Sequence, residues 1–211
     1  MIDGQAPVPL PPLTVLGRPL YGVQSASPLP LESLHPGERR RLNEWEHAHR
    51  RVEWLIGRHA LRAAAQAAGL PADTSRLSFP HVQISLSHSP GIAIAVAVDR
   101  SCGDGVAGVG VDFERERPLS ANLLRMFTTE HEAALLRDSS DADVLRLWTI
   151  KEAVFKACPR NAGLLLTDFE VTWLSPDGTG CAVLRPDLAC FATSSRRHAA
   201  GWLSVALCME P

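Results

Sequence analysis

Residues 148–157 read Trp148-Thr149-Ile150-Lys151-Glu152-Ala153-Val154-Phe155-Lys156-Ala157. At about 100° per residue, Leu147, Ile150, Val154 and Cys158 fall on one apolar stripe and Glu152 and Lys156 on roughly the opposite side. The spacing therefore predicts an amphipathic helix over 143–157, laid on a core. The two lysines are the only ones in the chain, and every other basic residue is arginine. Lysine is a compact, titratable point charge, whereas arginine is a planar fork that stays charged. Two lysines kept in so arginine-rich a chain point to positions where an ammonium is wanted. Glu152-x-x-x-Lys156 is also the pattern of a surface i,i+4 pair, worth only ~0.2–0.5 kcal/mol.

Upstream, Gly108-Val109-Gly110-Val111-Asp112-Phe113-Glu114 alternates like a strand, predicted over 106–114. Asp112 and Glu114 share one face while Val111 and Phe113 are buried. Two carboxylates so close repel unless a cation or proton lies between them, and Mg²⁺ takes such oxygen donors with waters and phosphates. An edge strand with a polar face, running on into Arg115, Glu116 and Arg117, accounts for the same letters.

Ile84–Ser87 and Ile92–Val98 read as two strands around a Ser-His-Ser-Pro-Gly turn. That turn offers serine hydroxyls and His88 to a phosphate; a histidine satisfied in the core is the plainer alternative. Pro36–Gly69 reads as one long helical segment, opened by Pro36-Gly37-Glu38 and closed by Gly69-Leu70-Pro71. On it Arg51, Arg58 and Arg62 share a stripe away from Leu42, Trp45, Val52 and Ile56. Arginine suits a bidentate grip on phosphate, although a basic stripe is also an ordinary solvated face.

The remaining segments complete an α+β pattern. Residues 6–36 are proline-rich with one or two short strands, 119–136 is helical, and strands lie near 169–174, 181–184 and 202–209. Ser101–Gly105, small and polar, is the expected boundary between two halves, 1–103 and 104–211. Asp138–Asp143 reads as a solvated loop ending in a helix N-cap.

The 211 residues are enough for one large domain or two small ones, and the net charge of −2 argues against a nucleic-acid surface. The longest apolar run, Ile92–Val98, is far short of the ~20 residues that span a bilayer. No basic-then-apolar leader is visible at Met1–Gln5. Five scattered cysteines, never in a Cys-x-x-Cys pair, fit reduced thiols in the cytoplasm better than a disulfide framework or zinc site.

Taken together and in order, Ser-x-Ser-His-Ser, Val-Gly-Val-Asp-Phe-Glu and Trp-Thr-Ile-Lys-Glu-Ala-x-x-Lys-Ala resemble the 4′-phosphopantetheinyl transferases. The resemblance is to the monomeric type that activates surfactin and enterobactin synthetases, and it covers residues near 50 to about 166. It implies a pseudo-dimer of two similar α/β halves with the active site in the cleft between them. A pseudo-dimer needs no second chain to complete that cleft, so a monomer is expected. The implied reaction moves the phosphopantetheine arm of coenzyme A to a serine of an apo acyl or peptidyl carrier protein, releasing adenosine 3′,5′-bisphosphate.

The resemblance also implies roles. Asp112, Glu114 and Glu152 would hold Mg²⁺, with Asp112 also beside coenzyme A. Lys156 would contact its phosphates, and Ser87 and His88 its nucleotide end. Arg50 and Arg58 stand where the family grips the 3′-phosphate, although the helical stripe favours Arg51 over Arg50. Glu152 is the first choice for the base at the carrier serine. Many members carry a lysine before the Ser-His segment. Here the stretch Arg76–Val82 has none, so that Arg76 or His81 substitutes or coenzyme A is held less tightly.

Carrier docking is expected on 119–136, where Leu123, Leu124, Met126 and Phe127 serve equally well as patch or core. Siderophore, polyketide, peptide and fatty-acid pathways all use such carriers. A non-catalytic coenzyme A- or carrier-binding relative and an unrelated Mg²⁺-dependent phosphohydrolase are the competing classes. Lys151, about 100° around the helix from Glu152 and without an assigned partner, is expected to tolerate arginine better than Lys156.

Overall fold

The computed structural model describes residues 5–99, 105–118, 121–137, 139–185 and 188–210. The expected boundary at 103/104, with Cys102, lies outside them, as does Asp138. The elements run β1 (Val8–Pro9), β2 (Leu13–Val15), β3 (Arg18–Ser25), α1 (Pro36–Asn43), α2 (Ala48–Ala67), β4 (Ile84–Ser89) and β5 (Ile92–Val98). The second half has β6 (Val106–Arg115), α3 (Ala121–Phe127), α4 (Glu130–Leu135), α5 (Asp141–Ala157), β7 (Phe169–Leu174), β8 (Thr179–Leu184), β9 (Cys190–His198) and β10 (Gly201–Met209). The α+β class is borne out.

Two antiparallel sheets result, ordered β1-β3-β5-β4 with β2 on β3, and β6-β10-β9-β8-β7. They stack between two helices. Ala93, Ala95 and Ala97 of β5 face α2, where Ala60, Ala64 and Ala65 let the helix come close. The alternate residues Ile92, Ile94, Val96 and Val98 face Val109, Val111 and Phe113 of β6 in a core shared by both sheets. With both faces covered, β5 reads as an unbroken apolar run. The far face of the second sheet carries α5 through Ile150, Val154 and Cys158, the predicted stripe.

The single helix expected from Pro36 to Gly69 is two helices broken at 44–47. Leu42 and Leu55 must both reach one cluster with Leu29 and Leu34. Thirteen residues apart, they would lie roughly 220° around a continuous helix and face opposite ways. The predicted arginine stripe is also redrawn. Val52 and Trp45 are exposed, whereas Arg58 is buried at 7% exposure. Arg58 and Arg62 are drawn inward because Glu38 and Thr74 offer them partners.

The helix expected over 119–136 likewise breaks in two. Thr129 caps α4, its hydroxyl accepting from the Glu132 amide while Glu132 accepts from the Thr129 amide. The Ser-His-Ser turn is mostly strand: β4 extends to Ser89, leaving Pro90 and Gly91 between the strands. β9 escaped the sequence reading because serines and arginines fill its polar face.

Candidate functional site

Strand β4 of the first sheet packs against β6 of the second, and the joint is made by the side chains of β4. Ile84, Leu86 and His88 point toward α2, so the period of two sends Ser85, Ser87 and Ser89 the other way. Ser85 Oγ accepts from the Val111 amide at 3.1 Å, and Ser87 Oγ accepts from the Phe113 amide at 3.2 Å. Ser87 also donates to Asp112 Oδ1 at 2.9 Å. The Ser-x-Ser pattern thus joins the halves and orients Asp112. Ser87 is buried against Asp112, and the residue this segment gives to open space is His88.

Across the second sheet, α5 sits directly on β6. A Cβ on Gly108 or Gly110 would run into the carbonyl of Ala157 or Ala153. The Gly-x-Gly spacing therefore brings the helix backbone down and places Glu152 and Lys156 beside Asp112. Lys156 Nζ donates to Asp112 Oδ1 at 2.7 Å and to the Val111 carbonyl at 3.2 Å. Asp112 is 5% exposed, and its Oδ2 is buried with no hydrogen-bond partner.

Burial pushes the carboxyls of Glu114 and Glu152 above their ordinary range. The charge of Asp112 adds to both shifts, and Lys156 opposes them. The three acids predicted from sequence therefore feel one another. Among the described residues, however, no three His, Cys, Asp or Glu side chains are drawn together tightly enough to hold a metal as they stand. The cation at Asp112 is the ammonium of Lys156.

Lys156 links this acidic centre to a cavity of about 710 Å³. One wall carries Arg41, Arg58 and His88 from the first half, and Lys156 and Asn161 come from the second. A second cavity of about 450 Å³ shares Trp45, Trp54 and His88 with it and adds Arg50. Arg51 lines neither, so of the two candidate arginines it is Arg50 that reaches the smaller cavity, and not the larger, in an exposed pair with Glu53.

His88 is seated against α2, its ring over Gly57. Desolvation of the ring where it packs on α2 lowers its pKa most, although the residue keeps an exposed side, and Lys156 and Arg58 add to the fall. Its close approach explains a glycine in mid-helix: a Cβ on Gly57 would lie 2.5 Å from His88 Nε2.

Neither Arg76 nor His81 reaches the cationic cavity; both line a separate one with Asp73. Arg41, at the end of α1, supplies a cation that the sequence reading missed. The Trp45/Trp54 wall is likewise beyond the sequence reading, which places Trp45 on the face of Leu42, Val52 and Ile56. A clue to Trp45 was its place between Glu44 and Glu46, where a buried tryptophan is unexpected.

Elsewhere in the motif, Trp148 packs edge-on against Phe127, and Phe155 against Phe169. Lys151 is wholly buried and paired with Glu132 at 2.5 Å. Of the expected docking patch, Phe127 is core, Leu123 and Leu124 lie against the core, and Met126 is 71% exposed.

Residues 108–207 match the family model of the 4′-phosphopantetheinyl transferase superfamily. The match takes in Asp112, Glu114, Glu152 and Lys156 and leaves Arg50, Arg58, Ser87 and His88 outside it. No curated protein matches the chain.

Proposed function

We propose that the protein is a 4′-phosphopantetheinyl transferase of the surfactin/enterobactin-synthetase-activating type. It acts as a monomer in the cytoplasm, on coenzyme A and an apo acyl or peptidyl carrier protein. The halves 1–103 and 104–211 form a pseudo-dimer, and the reaction takes place where they meet. The observation that carries this reading is Lys156, which is bonded to Asp112 on one side and lines an arginine- and histidine-walled cavity on the other. Among the described residues no helix is long and apolar enough to cross a membrane.

The chemistry asks for a place to hold a polyanion and a group to take one proton. Arg41, Arg58 and Lys156 supply positive charge for the phosphates, with His88 beside them as a ring that can take up a proton, and such charge is the larger part of catalysis when charge moves between phosphate oxygens. The carrier serine oxygen forms a bond to the phosphopantetheine phosphorus, and the bond from that phosphorus to the bridging oxygen of the pyrophosphate breaks. Lys156 offsets charge on the departing adenosine bisphosphate. The serine proton passes to Glu152, directly or through water, and its raised pKa makes it a better acceptor than an ordinary carboxylate.

Asp112, Glu114 and Glu152 suit Mg²⁺ in kind: all are oxygen donors, they repel one another, and Asp112 Oδ2 is buried without a partner. Held there, the ion would supply charge neutralisation at the pyrophosphate. Carrier docking falls to the α3–α4 surface, where Met126 is exposed.

The test is direct. The protein is incubated with coenzyme A, Mg²⁺ and several apo carrier proteins, and intact mass reports the phosphopantetheine arm. A mass gain on a carrier supports the reading; no gain on any carrier sinks it. Coenzyme A cleavage without a carrier would favour a phosphohydrolase, and binding without either would favour a non-catalytic relative.

A further inference from the structure

Arg58 is an unusual anion-binding group because its guanidinium is itself buried and held. Nη1 donates to the Thr74 carbonyl at 3.0 Å and to Thr74 Oγ1 at 3.2 Å. The guanidinium carbon stacks 4.7 Å from the centre of the Trp54 ring. Thr74, 0% exposed, is in turn fastened to Glu38. Its hydroxyl donates to Glu38 Oε1 at 2.5 Å, and its amide to the same oxygen at 3.2 Å.

Glu38 is fully buried too, and its other oxygen accepts from Arg62 Nη2 at 2.5 Å and from the His35 amide at 3.0 Å. Both carboxylate oxygens are therefore occupied, and the chain of bonds runs Glu38, Thr74, Arg58, cavity. Burial pushes Arg58 down to about 10, with Glu38 the chief charge opposing the fall, so the guanidinium stays positive at neutral pH.

We infer that Glu38 and Thr74 are positioning residues, a buried relay that locks Arg58 so that the cavity presents a pre-aimed guanidinium to the 3′-phosphate of coenzyme A. Neither residue lines the cavity. A free arginine loses rotamer entropy when it grips a phosphate, whereas this one has been ordered by folding. The polarity of the relay is set by its chemistry. The Thr74 hydroxyl spends its only proton on Glu38, so toward Arg58 it can only accept, and a guanidinium can only donate. Valine at this position fills the same space and removes the two bonds of the hydroxyl, leaving only the backbone carbonyl to Arg58 and the backbone amide to Glu38. Serine keeps the hydroxyl.

The inference rests on the coenzyme A reading of the cavity, and one experiment separates the two. Dissociation constants for coenzyme A and for 3′-dephospho-coenzyme A are measured by titration calorimetry on the wild type, Thr74→Val, Thr74→Ser and Thr74→Ala, each checked by thermal melting. The wild type should prefer coenzyme A. Thr74→Val and Thr74→Ala should narrow that preference roughly tenfold, and Thr74→Ser should restore it. In transfer assays KM for coenzyme A should rise while kcat stays within about twofold, because the lost interaction is made equally in ground and transition states.

An unchanged preference in variants that melt cooperatively overturns the relay, whether or not both affinities fall together. The transferase reading survives that result if the wild type still loads a carrier. A wild type that binds neither nucleotide overturns both.

Discussion

The ammonium of Lys151 lies 2.5 Å from Glu132 Oε2, and both side chains are sealed from solvent, at 0% and 2% exposure. Glu132 also accepts from the amides of Thr129 and Val171 at 2.8 Å each. One buried carboxylate thus ties α5, the start of α4 and strand β7 together. The two lysines of the chain serve different ends: Lys151 stabilises the fold, and Lys156 faces the cavity.

Removing either partner of this pair strands a buried charge. Lys151→Met and Glu132→Gln should each lose about 3–5 kcal/mol, read from urea unfolding. Lys151→Arg should lose about 1–3 kcal/mol, because the larger head overfills a closed site. The double variant should not recover wild-type stability, since the Thr129 and Val171 amides still need their acceptor. A wild-type unfolding midpoint for Lys151→Met would refute the structural role.

Lys156→Arg should show the opposite profile. The side chain is 29% exposed, so stability should stay within about 1 kcal/mol of wild type. Carrier loading should fall by about a hundredfold, because a planar fork cannot reproduce the contact to Asp112 Oδ1 and the Val111 carbonyl together. Full loading activity would unseat Lys156 from the phosphates.

Glu152→Gln should leave coenzyme A affinity near wild type while turnover falls by roughly 10²–10⁴. Calorimetry and intact-mass kinetics together decide it. If the variant binds Mg²⁺ and coenzyme A normally and turns over fully, the base lies elsewhere.

His88 should make polyphosphate binding pH-dependent. Its pKa in the fold lies below the ordinary histidine value, chiefly through burial. The unfolded chain therefore binds the proton more readily, and ligand-free stability should drop as pH falls below about 6.5. A bound polyphosphate favours the charged ring, so binding should tighten on acidification and take up protons. Titration in two buffers of different ionisation enthalpy should detect that uptake in wild type and not in His88→Asn.

Gly57→Ala tests the packing of His88 on α2. Alanine favours the helix by about 1 kcal/mol, and the ring, as the movable end of a side chain, can swing aside. Stability should therefore change by less than about 1 kcal/mol, while coenzyme A affinity falls by roughly tenfold. Equal affinity in the variant would show that the seat of His88 does not matter to binding.

Much of this arrangement was legible in the letters because it is local. The period of two through Val109–Glu114 set Asp112 and Glu114 on one face, and the helical period set Ile150, Val154 and Cys158 into the core opposite Glu152 and Lys156. The break at 128–129 also has a local sign, the capping box Thr129-x-x-Glu132, which outweighs the helical periodicity that runs across it. The break at 44–47 had no such sign, because it follows from Leu42 and Leu55 converging on Leu29 and Leu34, contacts that sequence spacing does not encode.

By itself the sequence determined the α+β class, the carboxylate pair, the lysine helix and the resemblance that links them. Only the tertiary structure decided partners. It gave Lys151 to Glu132 and Ser87 to Asp112, drew Arg58 inward onto Thr74, put Arg41 rather than Arg76 or His81 on the wall of the larger cavity, and put Arg50 rather than Arg51 on the smaller. Periodicity states which way a side chain points from its own element. Which side chain meets it depends on how elements pack, and packing is settled by contacts between residues far apart in the chain.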